Sequence, residues 1–215
     1  MLTTMNSTPE PVSDKSCSNS AQRILETAEY FFARLGFMGT RVDEIARVAH
    51  INKRMIYYHY GSKEGLYQAV LEKHLKPMIE MSRHVLQTDL PPAAMLERLL
   101  NTYFDFLATH RVYVRLISWE VLGEGNQLSN LGFRRQTFEQ VVHYFEVAQR
   151  QGKLRPDCDV SRTLMAGMLL CYSYFSQMQY MQSFYSEILD DPEQYEHWKR
   201  SVLAMLLRSC GLEPA

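Results

Sequence analysis

Apolar residues recur at steps of three and four along most of this chain, and no stretch shows the strict alternation of a half-buried strand with paired turns. The first run, which precedes Gly36, contains Ile24, Ala28, Phe31, Phe32 and Leu35. This spacing places apolar side chains on one face of a helix, and a glycine commonly ends such a helix. Similar runs follow almost to the end of the chain, so the sequence predicts an all-α protein with about nine helices.

The composition is that of an ordinary globular protein. The chain has 215 residues, of which 46% are hydrophobic and 22% charged. At this length a chain buries enough apolar surface to fold without disulfides or a structural metal. The four cysteines are scattered, with no Cys-x-x-Cys pair, so we expect reduced thiols, no metal site and no cofactor. They are Cys17, Cys158, Cys171 and Cys210.

Residues 1–19 are rich in Thr, Ser, Pro and Asn and lack the basic, apolar and small-residue order of a signal peptide. They predict a flexible tail. The longest apolar stretch, residues 164–180, is interrupted by serines and glutamines, which favours a buried helix over a membrane span. We therefore expect a cytoplasmic protein that does not contact a membrane.

Charge is distributed unevenly along the chain. Residues 20–76 contain nine Lys or Arg and six Asp or Glu, whereas the whole chain has a formal net charge of −1. A basic part joined to a larger acidic part suggests a domain that binds a polyanion and a second domain with another role. An excess of this size is also compatible with chance. We divide the chain into a tail (1–19), a basic domain (20–76) and a larger domain (77–215).

A short second helix is predicted within residues 40–49. Thr40 opens it, and Asp43 follows three residues later as a capping-box partner. Its inner face consists of Val42, Ile45, Ala46 and Ala49. The small side chains on this face let another helix cross closely.

A third helix is predicted over residues 53–60, after a turn at residues 50–51. Asn52 is a favourable N-cap for it, and Gly61 ends it. Ser62 then caps a fourth helix, which Pro77 is expected to kink or break because proline lacks the amide donor. Two short helices joined by a tight turn indicate a helix-turn-helix.

The third helix has two chemically different faces. Ile56 and Tyr60 are four residues apart and predict an inward face, while Arg54, Tyr57 and Tyr58 share the outward side. A helix of this width fits the major groove of DNA. There an arginine donates paired hydrogen bonds to guanine O6 and N7, and a tyrosine contacts a thymine methyl or a phosphate. The outward face therefore predicts sequence-specific DNA binding.

Two helix starts add candidate phosphate contacts. Thr40 and Ser62 lie where free backbone amides are available to bind phosphate oxygens. Lys63 stands at the head of the fourth helix, which is unfavourable for a cation unless an anion lies nearby. A solvated lysine without a role is the alternative interpretation.

The motifs of the basic domain together resemble the TetR family. The matching segments are TRVDEIARVA (40–49), INK (51–53), IYYHY (56–60) and SKE (62–64). By this resemblance, the residues that approach DNA are Thr40, Asn52, Lys53, Arg54, Tyr57, Tyr58, His59 and Lys63. Two positions depart from the family pattern: His50 stands where glycine is usual in the turn, and Arg54 replaces a small residue.

The same resemblance implies the role of the larger domain. It predicts a homodimer formed through the C-terminal helices, which reads a palindromic operator and responds to a small-molecule effector of unknown identity. Candidate effector contacts come from aromatic residues and methionine, which suit an apolar pocket but also fill ordinary cores. They are Tyr103, Phe104, Trp119, Tyr144, Tyr172, Phe175 and Met178. Possible polar anchors are Arg115, Glu120 and His143.

Two other functions compete with that of a ligand-responsive repressor. An enzyme has little support, because the sequence has no Gly-x-Ser-x-Gly, Walker loop or His-Glu-x-x-His, and its Gly-x-Gly at residues 123–125 follows no strand. A DNA-binding architectural protein without ligand control would keep the helix-turn-helix but fill its larger domain solidly. The sequence leaves the architectural alternative open.

Overall fold

A computed structural model describes residues 14–123, 132–184 and 189–213. The described residues contain ten helices and no strand, which confirms the all-α prediction. The helices are α1 (Asp14–Gly39), α2 (Val42–Val48), α3 (Lys53–Tyr60), α4 (Lys63–Leu86), α5 (Pro92–Thr109), α6 (Arg111–Leu122), α7 (Gly132–Arg150), α8 (Val160–Ser176), α9 (Met178–Gln182) and α10 (Pro192–Cys210). The sequence also predicts a loop at residues 123–126, of which residues 124–126 lie outside the described residues.

Helix α1 is interrupted near its end at Gly36, as the sequence predicted. This glycine has φ 66° and ψ 179°, a conformation that only glycine adopts readily. Ile24, Ala28 and Phe32 are fully buried on the inner face. Leu35, which was predicted on that face, is instead 43% exposed because it lies in the turn directly before the break.

The start of α1 corrects the predicted tail. The helix begins at Asp14, so residues 14–19 are helical, whereas residues 1–13 lie outside the described part of the chain. Residues 14–19 contain neither proline nor glycine, so no residue of this segment opposes a helix strongly. The helix therefore extends further than its apolar pattern indicates.

Helices α1–α3 and the start of α4 surround a small aromatic core. The ring of Tyr67 in α4 lies 4.7 Å from that of Phe32 and 5.2 Å from that of Phe37. Ile45 from α2 and Ile56 from α3 are fully buried. This core fixes the orientation of the short helices α2 and α3, which carry the helix-turn-helix.

Helix α4 continues through Pro77, so of the two predicted effects of this proline, a kink or a break, the break does not occur. Leu75, Met78 and Ile79 are buried on both sides of the proline. Their burial outweighs the single amide donor that proline lacks. At the other end, the predicted cap is confirmed, because the Ser62 hydroxyl accepts a hydrogen bond from Gly65 N–H at 3.0 Å.

The chain divides into two compact units within α4. The first unit ends at Ala69 and the second begins at Val70. The boundary proposed from sequence, between residues 76 and 77, also falls inside this helix. Residues of α4 therefore belong to both units without a break in secondary structure.

Helices α5, α8 and α10 pack together at the centre of the second unit, and α6 and α7 contact α8. The apolar pattern of residues 160–181 predicts a single helix, whereas the structure has two there, because Gln177 leaves the helical conformation with φ −108° and ψ 8°. This extra break accounts for ten described helices where nine were predicted. Asp159 and Asp191 cap α8 and α10 by accepting backbone hydrogen bonds.

None of the described helices combines the length and apolar content needed to cross a membrane. In the same residues, no group of three or more His, Cys, Asp or Glu side chains could hold a metal ion. Cys158, Cys171 and Cys210 are free thiols.

Candidate DNA-binding face and cavity

Helix α3 presents one exposed face, as its sequence predicted. Arg54, Tyr57 and Tyr58 are exposed, and Tyr58 is 74% accessible. On the opposite side, Ile56 is fully buried, and the Tyr60 hydroxyl donates a hydrogen bond to the Ala21 carbonyl at 2.8 Å. The outward face is therefore held by contacts to α1.

The turn between α2 and α3 is fixed by two further contacts. The Asn52 carboxamide oxygen accepts the Arg54 N–H at 2.9 Å, which confirms the predicted N-cap. The Arg23 guanidinium of α1 donates to the Ala49 carbonyl at the end of α2. Between them His50 has φ 52°, the left-handed conformation expected at this turn position and one that histidine tolerates better than most residues.

Thr40 does not cap α2 as predicted. The N-cap is Arg41, and the Thr40 side chain is 1% exposed, with its hydroxyl donating to the Gly36 carbonyl at 2.7 Å. The non-helical Gly36 leaves its carbonyl available to this hydroxyl, which draws the side chain inward. Thr40 is therefore buried and supports the turn before α2.

Lys53 has an acidic neighbour in α2. Its ammonium lies 2.7 Å from the Asp43 carboxylate, and both side chains are largely exposed. The hydrogen bond to Asp43 raises the pKa of Lys53 above its usual value. The charge of Lys53 is thus partly balanced before any phosphate approaches.

Lys63 also has a contact that the sequence pattern did not show. Its ammonium lies 4.4 Å from the centre of the Phe37 ring, a cation–π geometry. Partial burial lowers the pKa of Lys63. His59 is partly buried beside Tyr58, with the two ring centres 5.1 Å apart.

The second unit contains an apolar cavity of about 550 Å³ between α4, α5, α7, α8 and α10. Most of its lining is aliphatic or methionine, and Arg135 is the charged residue among the lining side chains. The lining residues are Met78, Ile79, Ser82, Leu96, Leu99, Leu100, Tyr103, Arg135, Thr137, Phe138, Val141, Leu164, Met165, Gly167, Met168, Leu169, Cys171 and Leu206. Burial raises the pKa of the Cys171 thiol to about 12, so this group is neutral at physiological pH.

Only Tyr103 among the seven candidate effector contacts lines this cavity. Phe104 and Phe175 are buried in an aromatic cluster, with their ring centres 4.7 Å apart. The Tyr172 hydroxyl lies 2.8 Å from the Ser118 hydroxyl. Trp119 is partly exposed on α6, and Met178 begins α9. Phe104 and Phe175 thus belong to the core of the second unit, and Tyr172, Trp119 and Met178 are not among the residues that line the cavity.

The remaining candidates also lie elsewhere. Tyr144 and the predicted anchor His143 line a second cavity of about 890 Å³ beside residues 83–92. The Tyr144 hydroxyl donates to the Leu90 carbonyl at 2.5 Å. Of the other two predicted anchors, Arg115 is exposed and Glu120 is buried, and neither lines the first cavity.

An exposed apolar surface lies on two neighbouring helices of the second unit. Met165, Ala166 and Leu169 are exposed on α8, and Met205 is 48% exposed on α10. Helices α8 and α10 pack against each other, so these side chains occur on adjacent elements. Such a surface is typical of a protein–protein contact.

Two family models match the chain over most of its length. Residues 24–70 match the model described as bacterial regulatory proteins of the tetR family, and residues 92–206 match the tetracyclin repressor-like C-terminal domain. The chain belongs to the TetR family of transcriptional regulators. Residues 24–70 contain the helix-turn-helix, so the TetR-family chain carries its DNA-binding motif in α2 and α3.

Curated relatives and solved structures agree with this assignment. The chain is 30% identical over 190 residues to the HTH-type transcriptional repressor NicS of Pseudomonas putida, covering 86% of this chain and 89% of the relative. It is 34% identical over 131 residues to the repressor SCO4008 of Streptomyces coelicolor, covering 60% and 65%. The fold resembles that of Bacillus subtilis FadR in complex with stearoyl-CoA, with a TM-score of 0.69, 14% identity and coverage of 87% and 98%.

Proposed function

We propose that this TetR-family regulator is a homodimeric repressor that reads a palindromic operator and is released from it by an apolar small molecule. The single observation that carries the effector part is the cavity of about 550 Å³, which is within the usual range for a drug-sized ligand. An architectural DNA-binding protein would have no use for such a cavity. Relatives named as repressors support repression over activation.

The DNA contacts in this proposal come from the exposed face of α3 and its surroundings. Arg54 reads a guanine in the major groove, and Tyr57 and Tyr58 contact a thymine methyl or the backbone. Asn52, Lys53, His59 and Lys63 contribute phosphate contacts, which position the helix but carry no sequence information. Thr40 acts through the packing of the preceding turn.

The dimer in this proposal forms through the exposed apolar residues of α8 and α10. A twofold dimer presents two α3 helices to half-sites about 34–36 Å apart, one helical turn of DNA. A palindromic operator follows from that symmetry. A change of a few ångströms in the separation of the two α3 helices would then move one of them out of register with its half-site.

The effector in this proposal is apolar and uncharged over the part that enters the cavity. Ser82, Thr137 and Cys171 offer only neutral polar groups, and Arg135 is exposed and paired with Glu139 at 2.8 Å. Met78, Ile79 and Ser82 lie in α4, whose first residues belong to the unit with the helix-turn-helix. A ligand that displaces α4 therefore acts on a helix that is joined to α3 through the continuous backbone.

The free energy required of the effector is modest. A tenfold loss of operator affinity needs about 1.4 kcal/mol of preference for the released state. Near-complete inversion of a 99:1 population needs about 5.5 kcal/mol. Burying a ligand of moderate size in an apolar cavity supplies free energy of this order when the cavity accepts the ligand only in the released state.

A thermal-shift screen of uncharged apolar compounds, followed by operator release in fluorescence anisotropy, tests the proposal. Val141→Trp fills the cavity and should abolish the thermal shift while operator binding persists. Val121→Trp, at an exposed position of α6 outside the cavity, is the matched control and should respond as wild type does. Equal shifts in all three proteins would place the ligand elsewhere, and stabilisation without operator release would favour the architectural alternative.

The proposal includes no catalytic activity, and it places the protein in the cytoplasm with its DNA target. Membership of a family of transcriptional regulators supports both points. The central experiment for the first point is recovery of the released effector, which should be chemically unchanged after incubation with the protein.

A further inference from the structure

The C-terminal end of α10 is held against the segment between α7 and α8 by hydrogen bonds. Arg155 N–H donates to the Cys210 carbonyl at 2.8 Å. The Gln149 side-chain amide donates to the Arg155 carbonyl at 2.7 Å and to the Cys158 carbonyl at 2.8 Å. These bonds fix residues 155–158 in position beside the last turn of α10.

The same junction is tightly packed. Gly211 caps α10 in the left-handed conformation, with φ 68° and ψ 32°. A Cβ atom at this position would lie 2.2 Å from Arg155 Cγ, so the glycine allows an approach that another residue would prevent. The distance between Cys158 and Cys210 is therefore set by the packing of two distant parts of the chain.

Two sulfur atoms meet at this junction. Cys158 Sγ lies 3.7 Å from Cys210 Sγ, although the two residues are 52 positions apart. A disulfide has a sulfur–sulfur distance of about 2.05 Å, so bond formation requires a movement of less than about 2 Å. Rotation of the two side chains supplies movements of that size.

The two thiols differ in their environment. Cys158 is half-buried, whereas Cys210 is 3% exposed. Burial raises the pKa of Cys210 to about 12, so this residue remains a thiol at physiological pH. An oxidant from solvent therefore meets Cys158 first, and Cys210 is placed to react second.

We propose that Cys158 and Cys210 form a redox-active dithiol that a hydroperoxide oxidises to an intramolecular disulfide. The thiolate of Cys158 attacks a peroxide oxygen, the O–O bond breaks, and Cys158 becomes a sulfenic acid while the leaving oxygen takes a proton to form an alcohol or water. Cys210 Sγ then attacks the Cys158 sulfur. The S–S bond forms and the S–O bond of the Cys158 sulfenic acid breaks. The departing hydroxide takes the proton of the Cys210 thiol and leaves as water.

The balance of the reaction is complete. Two thiols lose two electrons and two protons, and the hydroperoxide takes up both to give one alcohol, or water, and one water. The bridge joins the segment that precedes α8 to the end of α10. The bridge should keep these two ends together in the unfolded chain and so lower the conformational entropy of the unfolded state. We therefore expect Tm to rise by about 5 °C or more. The inference depends on this junction alone and is independent of the effector cavity.

Peroxide treatment of the full-length protein tests this inference. After treatment with hydrogen peroxide, the protein is denatured, alkylated with N-ethylmaleimide and mapped by mass spectrometry. We expect a linked peptide pair containing Cys158 and Cys210 and a mass loss of about 2 Da, reversed by dithiothreitol. Cys171→Ser, which removes a buried thiol elsewhere, should form the same bridge.

Two variants separate the steps. Cys210→Ser should stop at the sulfenic acid of Cys158, which dimedone captures, and Cys158→Ser should leave Cys210 reduced. The peptide map of the wild-type protein decides the matter even if a variant fails to fold. Full alkylation of both residues after peroxide, or a bridge from Cys158 to Cys17 or to a second chain, would overturn the assignment.

Discussion

At the residue scale, Arg54 is the side chain on which base recognition depends. It is exposed on α3, and its backbone N–H is held by the Asn52 cap. Arg54→Ala should weaken binding by about 1–3 kcal/mol at one base pair of the operator and relax the preference there. Fluorescence anisotropy with single-base operator variants measures this change.

The control for this prediction is Arg98→Ala, which removes an exposed arginine from α5 in the other unit. It should leave operator affinity unchanged. If Arg54→Ala instead weakened binding to every DNA sequence equally, Arg54 would contact phosphate only.

Asp43 provides a second test at this scale, because it pairs with Lys53 at 2.7 Å. Asp43→Asn removes the acidic partner and leaves the lysine free to bind phosphate. We expect tighter binding to random DNA and a salt dependence steeper by about one unit of slope. Titrations of the wild-type protein and the variant at several salt concentrations measure both effects.

The double variant Asp43→Asn with Lys53→Ala distinguishes this account from a general loss of negative charge. In this double variant, the increase in the slope of the salt dependence should be absent. A steeper slope that persists without Lys53 would show that Asp43 acts by long-range repulsion of the DNA backbone.

The sequence predicted those residues of the DNA-binding face whose roles depend on local chemistry. Asn52 caps α3, Ile56 points inward, and His50 takes the left-handed turn conformation. It did not predict the inward turn of Thr40 or the contact of Lys63 with Phe37. The Thr40 orientation depends on the carbonyl freed at Gly36, and the Phe37 contact depends on how α1 and α4 pack.

At the element scale, the turn between α3 and α4 leaves no room at Gly65. A Cβ atom there would lie 2.1 Å from the Tyr60 carbonyl oxygen. Replacing a helical glycine with alanine normally stabilises a helix by about 1 kcal/mol, but this overlap with backbone reverses the sign. Gly65→Ala should lower the free energy of unfolding by about 2 kcal/mol, measured by chemical denaturation.

Gly39→Ala is the comparison within the same unit. Its added Cβ would lie 3.2 Å from Leu35 Cβ, a closer contact than usual but one that a small adjustment relieves. We expect a smaller change in stability. If Gly65→Ala were as stable as wild type, the separation of α3 and α4 would not be set by this glycine.

Element bounds were predicted well where a local signal marks them. Capping residues mark the starts of α3 and α4. The proline pair Pro91 and Pro92 predicts the start of α5, where Pro91 is the N-cap and Pro92 the first helical residue. The break at Gln177 was missed, and the sequence does not decide between a kink and a break at Pro77, because both depend on tertiary packing that local propensity does not report. The cavity lining was missed for the same reason: it follows from how five helices pack, and its aliphatic residues have no pattern distinct from core.

At the scale of the whole molecule, the dimer in the proposed function depends on the exposed apolar residues of α8 and α10. Placing charges there with Ala166→Glu and Met205→Glu should convert the dimer to a monomer in analytical ultracentrifugation. Operator affinity should fall at least tenfold, because one α3 then binds without its partner. Val121→Glu, which adds a charge at an exposed apolar position of α6, should remain dimeric.

A monomeric wild-type protein would contradict the proposed dimer. A dimer unaffected by the two charges would place its contact on another surface. The Val121→Glu control separates a specific contact from general charge repulsion. The exposed apolar surface and the operator symmetry are thus tested by one set of variants.

Selection of bound fragments from a random pool of duplex DNA, at moderate ionic strength and with competitor DNA present, tests the central claim most directly. The proposed function predicts enrichment of an inverted repeat whose half-site centres lie about one helical turn apart. It also predicts that Arg54→Ala selects the same repeat with one position in each half-site relaxed. Recovery of fragments with no shared sequence would contradict the account.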